Sequence, residues 1–455
     1  MTFVKNAAPT RLTELEETAV NATQWDRRRF LSALGIGAAG LGLAACAGPG
    51  SGKKDAPTVT NTAAPSAVGT GPATGSLSFA HWRAEDKDTF ATIIDGFVKA
   101  NPGVSIRQDI APSADYQATE LQRIKQGSVG DVFAAFRGSQ FTSIDAAGLY
   151  VPLTSQAFVK NYTADMLQVG QSGGVQKGLP YQMVFPMPLY NKDLFDKTGI
   201  SEIPGDWDSF LAMCEKFKGA GISAMAWPGA DTGNAGQLFN SMIMNAAPSD
   251  DMCAKIQAGT YKCTDDWFVG MLKQYQQLIP YMQPGAAGTQ PQPCQQLFAT
   301  GKAAMLATGA YDISSVRKLN ATFAMDVLSP ITVAKDKVKY TGTYNATFIL
   351  GVSSISKSQQ AALKFIEYLS TPQVATQYAN GTSQMVPIEG VTYSNKDIDA
   401  ISHWTKEKIL LAPRYQFTNL DVQHAVEGSC IKVVGGASPE QAAEEAQRIV
   451  DQQKK

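Results

Sequence analysis

Residues 76–136 read SLSFAHWRAEDKDTFATIIDGFVKANPGVSIRQDIAPSADYQATELQRIKQGSVGDVFAAF, and two periodicities alternate along them. Leu77, Phe79 and His81 alternate with Ser78, Ala80 and Trp82, the period-two pattern of a strand. Phe90, Ile93, Ile94, Phe97 and Val98 then share one helical face, which Asn101-Pro102-Gly103 ends. Val104, Ile106 and Ile110 mark a second strand, Tyr116, Leu121 and Ile124 a second helix, and Val132 to Phe136 a third strand. This order predicts an α/β fold with a mainly parallel sheet flanked by helices.

The same grammar continues outward. A second unit of this kind begins after Pro180, where Trp207, Phe210, Leu211, Cys214 and Phe217 fall on one helical face. Ala362, Phe365, Ile366 and Leu369 form another amphipathic helix, stopped at Thr371-Pro372. Ser438-Pro439-Glu440-Gln441 has the pattern of a capping box with proline in the first turn and opens a last helix. No internal repeat is visible.

The 455 residues suffice for two or three domains. A hydrophobic content of 44% against 17% charged supplies a buried core, and a formal net charge of -1 argues against a nucleic-acid partner. The histidines, His81, His403 and His424, are far apart and no CxxC occurs, so local motifs support neither a metal site nor a cofactor.

The amino-terminal segment reads as an address. Asp26-Arg27-Arg28-Arg29-Phe30-Leu31 precedes a Gly/Ala/Leu run ending in Leu43-Ala44-Ala45-Cys46. Phe30 to Ala45 is 16 residues, short of the roughly 20 a spanning helix needs. The arginines resemble a twin-arginine export signal, and Leu43 to Cys46 resembles a bacterial lipobox. That resemblance implies a diacylglyceryl group on Cys46, and two acyl chains anchor stably where one does not. Residues 1–46 are thus expected to be an extension and signal. Residues 47–75, nearly all Gly, Ala, Pro, Ser, Thr and Val, are expected to form a flexible linker. Such a leash would span roughly 30 Å as a coil and about 100 Å stretched.

Five segments in order resemble the carbohydrate class of bacterial extracellular solute-binding proteins, the family 1 group that includes maltose-binding protein. They are Gly178-Leu179-Pro180-Tyr181 with Leu189 to Phe195; Pro204 to Phe210; Phe298 with Gly301-Lys302-Ala303-Ala304-Met305, Gly309 and Tyr311; Phe365 to Pro372; and Gly381 to Pro387. Where the family often has tryptophan, this chain has Tyr311. The resemblance implies a two-lobed fold of type II, each lobe a mainly parallel sheet with helices, joined by hinge crossings. Lobe one would comprise residues 76–182 and 345–383, lobe two 184–344 and 384–455. It further implies a monomeric, lipid-anchored subunit on the outer face of the membrane, which captures a mono- to oligosaccharide and delivers it to ABC permease subunits.

A sugar needs aromatic planes and fixed polar groups near strand ends. Trp82 and Arg83 follow the first strand, Arg137 the third; Trp227 follows Ile222 to Ala226, with Asp231 and Asn234 beyond. Tyr311 and Asp312 follow the Gly-Lys-Ala-Ala-Met segment; Tyr181, Tyr344 and Asn345 sit at the proposed crossings and Gln384 in the returning loop. Arg414 is a weaker candidate. Each has a structural alternative, since buried tryptophans and tyrosines also find local partners and lone arginines commonly sit on the surface.

Cys253 and Cys263, ten apart around Gly259-Thr260, are the expected disulfide in an oxidising compartment, with Cys214 a free thiol and Cys294 and Cys430 unassigned. Three other functions compete. An anionic ligand, such as a glycerol-phosphate diester or sugar acid, would pair with Arg83, Arg137 and Arg414. A lipid-anchored glycoside hydrolase would need two facing carboxylates that no local motif places, and a Gly-x-Ser-x-Gly elbow is absent. A purely structural lipoprotein fits poorly with two lobes.

Overall fold

A computed structural model describes residues 68, 69 and 71–454. The predicted signal, Cys46 and most of the predicted linker lie outside the described residues.

The alternation around Phe79 forms strand β1 (Thr74–His81), followed by helix Lys87–Ala100, strand β2 (Gly103–Ile110), helix Ser113–Lys125 and strand β3 (Val132–Ala135). β1 pairs in parallel with both β2 and β3. Helix Lys87–Ala100 buries Phe90, Ile93, Ile94 and Phe97 against the sheet, where Phe79 is fully enclosed. Each such aromatic or aliphatic side chain contributes about 1.5–3 kcal/mol by leaving water. A short hairpin, β4 (Gln171–Ser172) and β5 (Val175–Gln176), precedes β6 (Leu179–Val184).

The second sheet begins with β7 (Leu189–Asn191) and continues with β8 (Ser223–Ala226), β9 (Ala303–Leu306) and β10 (Met325–Val327), in the order β10-β7-β9-β8. β8 and β9 are parallel, and β7 runs against β9 and β10. The chain then returns to the first sheet as β11 (Gly342–Val352) and β12 (Ile409–Leu411). That sheet has the order β12-β11-β3-β1-β2, with β6 also on β11. Three passages therefore join the two bodies: residues 185–188, 328–341 and 412–419.

Local chemistry explains the helix starts. Asp206 accepts from Ser209 N while Ser209 Oγ answers the Asp206 amide, a reciprocal cap on helix Trp207–Gly219. Ser438 caps the last helix, Pro439–Gln452, through Gln441 N. Thr371-Pro372, expected to stop helix Gln359–Leu369, also starts the next one: Thr371 accepts from Val374 N and Pro372 occupies the first turn of Pro372–Thr382.

Three boundaries differ from expectation. β1 starts at Thr74, inside the predicted linker, and Ala73 N donates to Asn101 Oδ1 at 3.1 Å, so strand pairing reaches further back than the apolar alternation. β11 starts at Gly342, ahead of residue 345, and β12 pairs with it in the first sheet although residues 384–455 were assigned to lobe two. A three-residue strand at a sheet edge carries too little pattern to be read.

Candidate functional site

The carboxyl ends of β1 and β3 point toward the second body, and side chains leaving them enclose a cavity of ≈ 670 Å³ between the two sheets. That lies within the usual range for small-molecule sites, about 300–1,000 Å³. Trp82, one residue past β1, stacks on Phe136, one residue past β3, at 3.7 Å between ring centres and 21° between planes. Tyr116 and Phe348 flank the indole at 5.4 and 5.0 Å. Both Trp82 and Phe136 stay half-buried and line the cavity, so an aromatic surface remains available. Phe348 holds this position from φ 53°, a conformation bulky residues rarely adopt.

Arg83 follows Trp82 but is already neutralised. Its Nε and Nη2 grip Asp86 at 2.9 and 3.0 Å, and Nη1 lies 2.8 Å from Glu85. Burial works against the charge, yet Asp86 and Glu85 hold the guanidinium protonated above its ordinary value. Nη1 also donates to Tyr311 O across the cavity at 3.3 Å, and Tyr378 Oη donates to Asp86 at 2.6 Å. His81 accepts from Arg83 N at Nδ1, and burial lowers its pKa to about 4, so it is neutral.

The second body contributes mostly amides. Asp231 caps helix Thr232–Ile243 through Asn234 N, and Tyr311 Oη donates to Asn234 Oδ1 at 3.0 Å. Asp312 accepts from Thr308 Oγ1 at 2.6 Å and Gln295 Nε2 at 2.9 Å, and burial raises its pKa to about 6. Gln290, Gln292 and Gln295, around the start of helix Pro291–Ala299, form one wall.

The third passage closes the site with Arg414 and Tyr415. Arg414 grips Glu427 through Nε and Nη2 at 2.7 and 2.6 Å, and Nη1 donates to Gly233 O at 2.6 Å. Gly236 is required for this approach, because a Cβ there would sit 2.6 Å from Glu427 Oε2. Two guanidiniums lie over the Tyr415 ring, Arg414 at 5.2 Å and Arg137 at 5.4 Å from its centre.

Trp82, Arg83, Asp231, Asn234, Tyr311 and Asp312 therefore line the cavity, as does the weaker candidate Arg414. Six expected residues do not. Trp227 is fully buried in the second body's core, its Nε1 donating to Ala235 O at 3.1 Å. Tyr181 points into the opposite core and donates to Leu369 O at 3.0 Å, because neighbours on a strand face opposite ways; Gln182 takes the cavity side. Arg137 is drawn behind Tyr415 by Ala412 O at 2.6 Å, and burial lowers its pKa to about 10. Tyr344 and Asn345 lie on β11 ahead of Thr347, which does line the cavity. Gln384 sits behind Tyr311, donating to its carbonyl at 3.4 Å. The disulfide is likewise corrected. Cys253 and Cys263 are unbridged, buried thiols whose amides are held by different partners, Gln416 and Gln447. Sequence reasoning missed Phe136, Gln182, Gln237, the glutamines at 290–295, Thr347 and Tyr415. Phe136 and Gln182 could have been found from strand ends and alternation; the others carry no pattern.

Among the described residues, no group of three or more His, Cys, Asp or Glu side chains is arranged to hold a metal ion. No helix there is long and apolar enough to cross a membrane.

Two sheet-based lobes, three connecting passages and a polar-aromatic cavity between them define a hinged ligand-capturing protein. The family follows directly: residues 83–376 match bacterial extracellular solute-binding proteins, and the chain belongs to that family. The multiple sugar-binding protein of Streptococcus mutans is 22% identical over 339 residues, covering 70% of this chain and 76% of that protein. Among solved structures, the binding protein RafE in complex with raffinose aligns at TM-score 0.71 and 18% identity, covering 84% of this chain and 100% of that one. A chitin oligosaccharide binding protein aligns at TM-score 0.73 and 21% identity, covering 83% and 98%. The family and these neighbours are binding proteins.

Proposed function

We propose that the cavity captures a neutral carbohydrate and that the chain is the lipid-anchored binding subunit of an ABC importer, handing its sugar to permease subunits. One observation carries the choice of ligand: both arginines lining the cavity are internally paired, Arg83 with Asp86 and Glu85, Arg414 with Glu427. The lining then holds Arg83 and Arg414 against Glu85, Asp231 and Asp312, which offers no spare positive charge to an anion. What remains suits a polyol: the Trp82–Phe136 stack for a sugar's ring face, and amides that donate and accept for its hydroxyls.

The named relatives, which bind multiple sugars, raffinose and chitin oligosaccharides, support the same reading. Arg27 to Arg29 and Cys46 support export and anchoring. The test is a thermal-shift screen of the purified chain against galactose, raffinose, stachyose and chitobiose, with glycerol 3-phosphate and glucuronate as anionic controls. At 100-fold excess over Kd a neutral sugar should stabilise the chain by about 2.7 kcal/mol. A shift confined to the anionic controls overturns the choice of ligand, and hydrolysis products in the mixture overturn the binding role.

A further inference from the structure

Resting on the carbohydrate reading, the geometry points to Gln237 and Thr347 as the pair that decides which hydroxyl pattern the cavity accepts. Gln237 lies on helix Thr232–Ile243 in one lobe, Thr347 on β11 in the other, and both line the cavity at 7% exposure. Gln237 Nε2 donates to Gly233 O at 3.0 Å and reaches Tyr415 Oη at 3.3 Å. Gly233 O can only accept, so the amide orientation is fixed and Oε1 faces away from these partners. Oε1 has no donor within the protein, and Thr347 Oγ1 has no partner of either kind.

The other cavity amides and acids contrast with these two. Gln182 reaches Asp86, Gln295 serves Asp312, Asn234 serves Tyr311, and Glu85 holds Arg83. Gln290 and Gln292 are exposed and served by solvent. Among the described lining residues, Gln237 and Thr347 are the buried side chains left with an unpartnered polar atom. Burying such an atom is costly, so it is retained where a bound group completes it. The backbone strain at Phe348, φ 53°, sits immediately beside Thr347, where distortion accompanies functional placement.

The chemistry then constrains the guest. Gln237 Oε1 accepts only, so the sugar must present a free O–H or N–H there, not an ether or carboxylate oxygen. Thr347 Oγ1 can give or take. Because the two lie on opposite lobes, one guest satisfies both only by bridging them, which ties recognition to the closed arrangement.

Calorimetric titration of the full chain with galactose, raffinose, stachyose and chitobiose identifies the tightest of these probes, which is then compared with its monodeoxy and mono-O-methyl derivatives. Gln237→Leu and Thr347→Val should each weaken the parent sugar roughly 10- to 100-fold. One deoxy derivative should bind wild type as weakly as the parent sugar binds Gln237→Leu, and the variant should no longer distinguish the two. Melting without sugar checks folding, and Thr347→Ser, which keeps the hydroxyl, should retain affinity. Parent-like affinity in both Gln237→Leu and Thr347→Val overturns this assignment and leaves the carbohydrate reading intact. Silence of all four sugars against wild type overturns both.

Discussion

The two walls of the cavity use different chemistry. Lobe one offers Trp82 stacked on Phe136 and backed by Tyr116 and Phe348, an aromatic surface whose shape is set by its own core. Lobe two offers Asn234, Gln237 and the glutamines at 290, 292 and 295, side chains whose value lies in hydrogen-bond direction. Lobe two also owns a tryptophan at a strand end, but Trp227 faces inward. A flat apolar surface can hold many sugars weakly, whereas directed amides select among them. On the carbohydrate reading, the aromatic face of lobe one would supply most of the affinity, and the amides of lobe two, together with Thr347 of lobe one, most of the discrimination.

Exchanging the two tryptophans for alanine tests that division most severely. Trp227→Ala should cost lobe two about 3–5 kcal/mol of stability, as deletion of a fully enclosed aromatic does, with sugar affinity unchanged in the folded protein. Denaturant melts with calorimetry on the same sample measure both. Trp82→Ala should do the reverse: an affinity loss of ~2 kcal/mol, about 30-fold, with a smaller change in the melt, since its ring is half-buried. If Trp227→Ala weakened binding more than Trp82→Ala, the division between lobes would be lost.

These tryptophans also show what could be read from sequence. Both sit one residue past a strand, so position alone gave them equal claims. What separates them is that helix Thr232–Ile243 folds back far enough to place Ala235 O within 3.1 Å of the Trp227 indole, a contact set by tertiary packing. Tyr181 against Gln182 is a subtler case, because β6 is buried on both faces and its apolar run hides which side is the cavity. The β1-to-β3 unit was legible because its periods are clean and its helices end at marked residues such as Asn101-Pro102-Gly103. Arg414 and Tyr415 arrive on a passage after a three-residue strand, and Gln237 faces the cavity from a helix buried almost all round. Neither carries a periodic signal.

Acid titration sharpens the comparison at lower amplitude. In lobe one Glu120 is fully buried, with Oε2 accepting from Arg123 at 3.1 Å and Oε1 unpartnered, and burial raises its pKa to about 7. In lobe two Asp312 is raised to about 6 by burial. A carboxyl raised on folding favours the protonated native state. Its contribution is therefore complete below the ordinary carboxylate range and lost as pH rises through the folded value. Lobe two should lose its share between about pH 4 and 6, lobe one between about pH 4.5 and 7. Melting temperatures from pH 5 to 8 should show Glu120→Gln gaining on wild type up to about pH 7, and Asp312→Asn levelling off nearer 6. Parallel curves for wild type and Glu120→Gln would remove that distinction.

The smallest effect expected is none at all, and it concerns a difference the first three tests leave untouched. Every described cysteine lies in lobe two: Cys214, Cys253 and Cys294 on helices, Cys263 in a loop where its backbone N–H donates to Gln447 Oε1, and Cys430 on helix Leu420–Val434. All five are buried; burial pushes Cys214, Cys263 and Cys294 up to about 12 and raises Cys253 well above the ordinary thiol value. A thiol with so little thiolate neither attacks nor coordinates readily, so these residues serve as small apolar packing units. Dithiothreitol should therefore leave the melting temperature unchanged, and iodoacetamide should modify none of the five in the native protein and all five in guanidinium. Peptide mapping reads the sites directly. A reductant-dependent drop in melting temperature, with Cys253 and Cys263 shielded from iodoacetamide in guanidinium until reduced, would restore the bridge and give lobe two a covalent support that lobe one lacks.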